Sequence, residues 1–166
     1  KVCDPTLLKD RGFYEGFCKS MEDEGNYLLL YLFDTPSDAV VDEIKQYAAV
    51  NGLKIVSLGR RMPFADTHFE STVVSFLSCF SGASAVVTNT FHGTVFSLIF
   101  SKQFAVLDYD KKKIENLLHD VTLDQRIVKT GIEAVLNEDV DYALVESKFS
   151  ELRSRSISYL EKCVQD

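Results

Sequence analysis

The stretch Tyr27-Leu28-Leu29-Leu30-Tyr31-Leu32-Phe33 runs straight into Asp34, Thr35 and Pro36. A run of this length without a charged side chain, stopped by turn-forming residues, reads as a strand buried on both faces. Such strands belong inside parallel sheets, whose neighbouring strands need crossover connections, usually helices. The next segment supplies one. "SDAVVDEIKQYAAVNG" (37–52) sets Val40, Val41, Ile44, Tyr47 and Ala48 at helical spacing, with Ser37 or Asp38 as a cap and Asn51-Gly52 as a stop. "LKIVSLG" (53–59) is a second short buried strand, followed by a polar, irregular stretch, "RRMPFADTHFE" (60–70).

The alternation then repeats. "STVVSFLSCFSGA" (71–83) reads as a helix, "SAVVT" (84–88) as a third strand, "TVFSLIFS" (94–101) as an apolar helix and "QFAVLDY" (103–109) as a fourth strand. "KKKIENLLHDV" (111–121) is amphipathic, and 142–165 reads as a long, charged, amphipathic C-terminal helix. Strands and helices alternating through short connections give an α/β fold: a Rossmann-like parallel sheet with helices on both faces, as one domain over 1–166. Ligands in such sheets bind outside the carboxyl ends of the strands. That rule directs attention to Asp34–Ser37, Gly59–Asp66, Thr88–Gly93 and Asp108–Lys113.

Composition bounds the function. A net charge of −7 and a pI near 5.0 argue against a broad nucleic-acid surface. The basic residues gather only at Arg60-Arg61 and Lys111-Lys112-Lys113, each either a solvated face or a local anion site. Cys3, Cys18, Cys79 and Cys163 are far apart, without a CxxC pair or a histidine at metal-ligand spacing. Cys79 lies in an apolar helical stretch and reads as a core residue. This cysteine usage fits an intracellular compartment, and no apolar run approaches the ~20 residues of a membrane span. The chain opens on Lys1-Val2-Cys3 without a methionine, which reads as a fragment or an excised domain.

The segment "TNTFHGTVFS" (88–97) leaves a strand, turns and enters a helix. The start of a helix presents unpaired N–H groups and partial positive charge, which suit a phosphate or a carboxylate. The hydroxyls of Thr88, Thr90 and Thr94 and the Asn89 amide are candidate hydrogen-bonding groups, Gly93 permits close backbone approach, and His92 can donate a proton or hold an anion. Two readings stand: Asn89 or Thr90 caps the helix and His92 is a half-buried, satisfied ring, or the turn is an anion site with a proton donor. His68 in the irregular loop and His119 on an amphipathic helix read as surface residues, and Asp4 and Asp34 as turn or cap residues.

"ASAVVTNTFHGTVFSLIFSKQFAVL" (83–107) resembles the signature of the polysaccharide pyruvyl transferase family. "DPTLL" (Asp4–Leu8) resembles the start of that family's C-terminal half. "KIENLLHDVTLDQRIV" (113–128) resembles a helix carrying Ser-Arg-Ile and then a Leu-x-x-Arg turn, and "VESKFSELRSRSISYLEKC" (145–163) resembles its last helix. The resemblance implies one half of a two-domain GT-B fold, with the chain as the C-terminal half and an N-terminal half as its partner. It implies transfer of a pyruvyl group from phosphoenolpyruvate to a sugar hydroxyl of a surface polysaccharide or its lipid-linked precursor, with no metal and no resident cofactor. It places the protein in the cytoplasm, or at the inner face of the membrane. His92 then becomes the general acid or the phosphate partner. Thr88, Asn89, Thr90, Gly93 and Thr94 surround the donor, and Lys113 and Arg60 add positive charge.

Two positions depart from the family pattern. Lys113 stands at the arginine of Ser-Arg-Ile, and a lysine lacks the planar two-point grip of guanidinium. Ser75-Phe76-Leu77 stands where members carry Glu before an aromatic-Leu pair, and Arg60-Arg61 offers replacement charge. Two other functions fit the same sheet edge: a glycosyltransferase domain that binds a nucleotide-sugar, and a non-catalytic sugar- or anion-binding module. The first needs an acidic residue placed for ribose, and Glu115, next to Lys111–Lys113, is a poor one.

Overall fold

The computed structural model describes residues 3–107 and 112–165. A 3-10 turn (Pro5–Leu8), α1 (Arg11–Glu15) and a second 3-10 turn (Glu22–Glu24) lead into β1 (Tyr27–Tyr31), α2 (Asp38–Val50) and β2 (Lys54–Leu58). The chain continues through β3 (Thr67–Phe69), α3 (Val73–Gly82), β4 (Ala85–Thr88), α4 (Phe91–Ile99) and β5 (Gln103–Leu107). After these come α5 (Lys112–Asp120), a third 3-10 turn (Asp124–Arg126), β6 (Ile127–Val128), α6 (Ile132–Asn137) and α7 (Tyr142–Gln165). All six strands are parallel, in the order β3-β2-β1-β4-β5-β6. The chain builds outward from β1 in one direction, returns beside it at β4, and builds outward in the other. That is the doubly wound order of dinucleotide-binding folds, and its direction reverses between β1 and β4.

The strand side chains alternate between two cores. Tyr27 and Leu29 of β1, with Val86 of β4 and Phe104 of β5, pack against α3, α4, α5 and α7. Leu28 and Leu30, with Val87 and Ala105, pack against α2 and α6. Because both faces are covered, the strands carry no polar face, which is why β1 reads as an unbroken apolar run. The expected helices and the four expected strands are present, with shifted ends. β1 stops at Tyr31 because the chain turns towards Pro36, and α4 starts at Phe91, three residues before the apolar stretch. Asp108 and Tyr109, expected at the end of the fourth strand, and Lys111 lie outside the described residues.

The structure corrects one segment. The stretch read as irregular after β2 contains β3, a three-residue edge strand paired through Val56–Thr67 to Leu58–Phe69. His68, read as a surface residue, is held in this strand: its Nδ1 lies 3.0 Å from Ser57 Oγ, and its side chain is only 7% exposed. His119 is exposed as expected, 3.3 Å from Asp124 Oδ1. Asp4 is the expected cap, accepting from Thr6 N at 3.0 Å.

The far edge of the sheet depends on Arg126, which is fully buried. Its Nη1 donates to the carbonyls of Val135 (2.7 Å) and Phe104 (3.3 Å) and to Gln103 Oε1 (3.1 Å). Its Nη2 donates to the Glu138 carbonyl at 2.6 Å, and the guanidinium lies over the Phe104 ring. One side chain therefore fastens the end of α6 to β5. Burial pulls the Arg126 pKa down, while Tyr142, Glu138 and Asp139 act in the opposite direction. The start of α6 is also held from a distance. Gly131 has no side chain to cap it, and Glu43 Oε2 of α2 accepts from Gly131 N (2.7 Å) and Ile132 N (2.9 Å).

Arg126→Met should lower unfolding free energy by about 3 kcal/mol, because it leaves buried carbonyls without donors. Urea titration followed by circular dichroism measures this, and a loss under ~1 kcal/mol would mean those carbonyls find other partners. All four cysteines are free thiols. Burial, with a smaller contribution from Glu24, pushes the Cys79 thiol up to about 12. Iodoacetamide at neutral pH should therefore label exposed Cys163 in the native protein and reach Cys79 only after denaturation, as read by peptide mass spectrometry.

Candidate functional site

The reversal of sheet order opens a crevice between the carboxyl ends of β1 and β4, and the turn Asn89-Thr90 leaves β4 at that point. A chain of hydroxyls links the start of α4 to β1 at this point. Gly93 N donates to Thr90 Oγ1 at 2.9 Å, Thr90 Oγ1 lies 3.1 Å from Thr88 Oγ1, and Thr88 Oγ1 donates to the Tyr31 carbonyl at 2.8 Å. Since the Thr88 proton goes to Tyr31, the proton between the two threonines must come from Thr90. The relay thus runs in one direction, from the first turn of α4 into β1. Thr88 Oγ1 also accepts from Thr90 N at 3.1 Å. Thr90 is the N-cap of α4, a role worth about 1 kcal/mol.

The remaining polar groups of the turn also point inward. Asn89 is fully buried, and its Oδ1 accepts from Phe33 N at 2.9 Å. Thr94 Oγ1 donates to the Thr90 carbonyl at 3.0 Å, and Ser97 Oγ donates to the Gly93 carbonyl at 2.8 Å. The expected ligand-facing hydroxyls of Thr88, Thr90 and Thr94 therefore already give their protons to oxygens of the protein, and these residues shape the turn. Gly93 is likewise required by packing, since a Cβ there would stand 2.1 Å from Thr88 Oγ1 and 2.7 Å from Thr90 Oγ1. What faces outward is His92, which is exposed. Its ring stands edge-on to Phe91, with centroids 5.6 Å apart. The N–H groups of Phe91 and His92 precede the first intrahelical bond, Thr94 N to Thr90 O, so the helix gives them no acceptor. The start of α4 adds a fractional positive charge there.

Arg60 joins this turn through the loop after β1. Its Nη1 donates to the Phe33 carbonyl at 3.0 Å, and its Nη2 to Thr35 Oγ1 at 3.3 Å. Asn89 and Arg60 therefore hold Phe33 by its N–H and its C=O, bringing together the loops after β1, β2 and β4. Lys113 stands elsewhere. It is exposed in the first turn of α5 and shares a groove with Phe91, making no hydrogen bond to the His92 turn. Ser75, at the family's Glu position, completes a capping box with Thr72 at the start of α3, which is a structural task. Among the described residues, no group of three or more His, Cys, Asp or Glu side chains is placed to hold a metal ion. Nor is any helix among them long and apolar enough to cross a membrane.

Fold and site together define a doubly wound α/β domain whose switch point presents a helix start and an exposed histidine. The sequence matches the polysaccharide pyruvyl transferase family over residues 1–111, and the chain belongs to that family. No curated protein matches it. Among solved structures it is similar to one described as the glycotransferase of kitacinnamycin, with a TM-score of 0.54 and 13% sequence identity. The likeness covers 83% of this chain and 41% of that protein, so the chain spans less than half of its structural relative. At that identity the likeness shows the fold, which is GT-B-like.

The packing at Gly93 is testable. Gly93→Ala should cost about 3 kcal/mol by forcing α4 away from β4. In Gly12→Ala the new Cβ would meet only Asp10 Oδ1 at 3.6 Å, so that variant should unfold with the parent. Thermal unfolding of both proteins checks the contrast.

Proposed function

We propose that this chain is the donor-binding domain of a pyruvyl transferase, the C-terminal half of a two-domain enzyme. Phosphoenolpyruvate is the donor, and a sugar hydroxyl of a polysaccharide or its lipid-linked precursor is the acceptor. The observation that carries this reading is the exposed His92 beside two backbone N–H groups, on a turn braced at the switch point of the sheet. Phosphoenolpyruvate brings two anionic groups to such a place. The N–H groups of Phe91 and His92 hold one of them with the helix charge, and Arg60 is a cation joined to the turn through Phe33.

The chemistry follows from what the donor needs. His92 in its protonated form gives a proton to the methylene carbon, and positive character develops at the carbon bearing the phosphate. The sugar oxygen attacks that carbon and loses its proton. A second hydroxyl then displaces inorganic phosphate, leaving a cyclic ketal of pyruvate. Fixed N–H donors at the phosphate stabilise the departing charge without reorganising. The reaction belongs in the cytoplasm, at the inner face of the membrane when the acceptor is lipid-linked.

A ligand-observed NMR titration of the 166-residue chain tests the reading. Phosphoenolpyruvate should bind in the millimolar range, about 4 kcal/mol, more tightly than inorganic phosphate, and His92→Ala should abolish the difference. Binding of UDP-glucose alone would replace this reading with that of a nucleotide-sugar transferase.

A further inference from the structure

A groove of about 610 Å³ separates α5 from α7. From α5 it takes Lys113, Asn116, Leu117 and Asp120, and from α7 Lys148, Glu151, Leu152 and Arg155, each set spaced as one helical face. Buried Leu7, from the first 3-10 turn, joins Leu117 in the floor. At one end the lining includes Phe91, the residue that precedes His92. The face of α5 runs for about 10 Å from Lys113 to Asp120.

The charges decide what fits. Three cations (Lys113, Lys148, Arg155) and three carboxylates (Asp4, Asp120, Glu151) line the groove. Asp4 is occupied by Thr6 N and Thr6 Oγ1. The other five form no hydrogen bond or ion pair among the described residues, so donors and acceptors of both signs stand available along the groove. An anion finds no surplus of positive charge, and a cation no surplus of negative charge. An amphipathic helix needs an unbroken apolar stripe, and here the leucines alternate with charges. A chain of sugar rings matches both features: its hydroxyls donate to carboxylates and accept from ammonium or guanidinium groups, and its C–H faces rest on leucine and phenylalanine. The volume lies within the range of small-molecule sites.

The geometry points to an oligosaccharide site between α5 and α7, which holds a di- or trisaccharide segment of the acceptor and ends at Phe91 beside the donor turn. The assignment of the ligand as acceptor rests on the pyruvyl-transfer reading, whereas the sugar chemistry of the groove stands on its own residues.

A glycan array probed with the fluorescently labelled chain tests it, using immobilised glycans from one to six rings. Three variants run beside the parent: Asn116→Trp, which fills the groove from an exposed position, the doubly substituted Lys148→Gln/Glu151→Gln, and His92→Ala. Retention should favour glycans of two or more rings. It should fall about tenfold in both groove variants and persist in His92→Ala, while Asn116→Trp keeps the parent's phosphoenolpyruvate titration. Circular dichroism confirms folding, and the double variant changes only groove-rim charges should the tryptophan unfold the chain. The inference is overturned if no glycan is retained, if retention ignores both groove variants, if it vanishes in His92→Ala, or if inorganic tripolyphosphate or an amphipathic helical peptide, and no glycan, binds in a groove-dependent way. Glycan retention without phosphoenolpyruvate binding would remove the donor reading and leave the groove standing. The converse would remove the groove alone.

Discussion

The relay from Gly93 N through Thr90 and Thr88 to the Tyr31 carbonyl ties the first turn of α4 to the centre of the sheet. It spans the place where a doubly wound sheet is open by construction, because successive crossovers leave β1 and β4 adjacent with helices departing to opposite sides. Each hydroxyl gives its proton onward and accepts at least one other, so the links polarise one another in a buried setting. Four further constraints follow from it: no side chain at Gly93, a buried Asn89, an inward Thr94 and an outward His92. The chemistry of the turn is thereby divided. Side-chain hydroxyls provide rigidity, and the imidazole of His92 is left exposed beside the start of α4.

Much of the fold was legible because a parallel sheet covered on both faces leaves a strong imprint: unbroken apolar strands, then helical spacing, then a stop. The Tyr27–Tyr31 strand and the 142–165 helix are direct readings of that imprint. β3 was not legible, since Thr67, His68 and Phe69 are each only partly buried at the sheet edge and acquire strand geometry from β2. The region around Arg126 was hidden for a different reason. An arginine reads as surface, and only three-dimensional convergence of the carbonyls of Phe104, Val135 and Glu138 makes a place for one inside. The Leu-x-x-Arg resemblance marked the position without supplying that reason.

The candidate site was legible in location more than in role. The His-Gly pair lies past the carboxyl end of β4, and Thr90 caps α4 as one of the two open readings had it, but His92 is exposed where that reading had a half-buried ring. Spacing alone could not reveal that the hydroxyls of Thr88, Thr90 and Thr94 are consumed internally, because a threonine that faces a ligand and one that faces a carbonyl look alike in sequence. Arg60 gained its link through the Phe33 carbonyl, a connection between residues 27 positions apart. Lys113 belongs to the flank of the turn that Phe91 closes, where α5 meets the groove.

The cap on α6 has a consequence for how this molecule comes apart. A helix of six residues is too short to persist alone in water. Its start is satisfied by Glu43, 88 positions earlier on a different helix, and its end by a guanidinium that also grips β5. It has no melting of its own to undergo: it opens only when α2 or β5 moves. Amide hydrogens of α6 should consequently exchange with the sheet as one cooperative unit, making a helix at the rim of the domain a reporter on its centre.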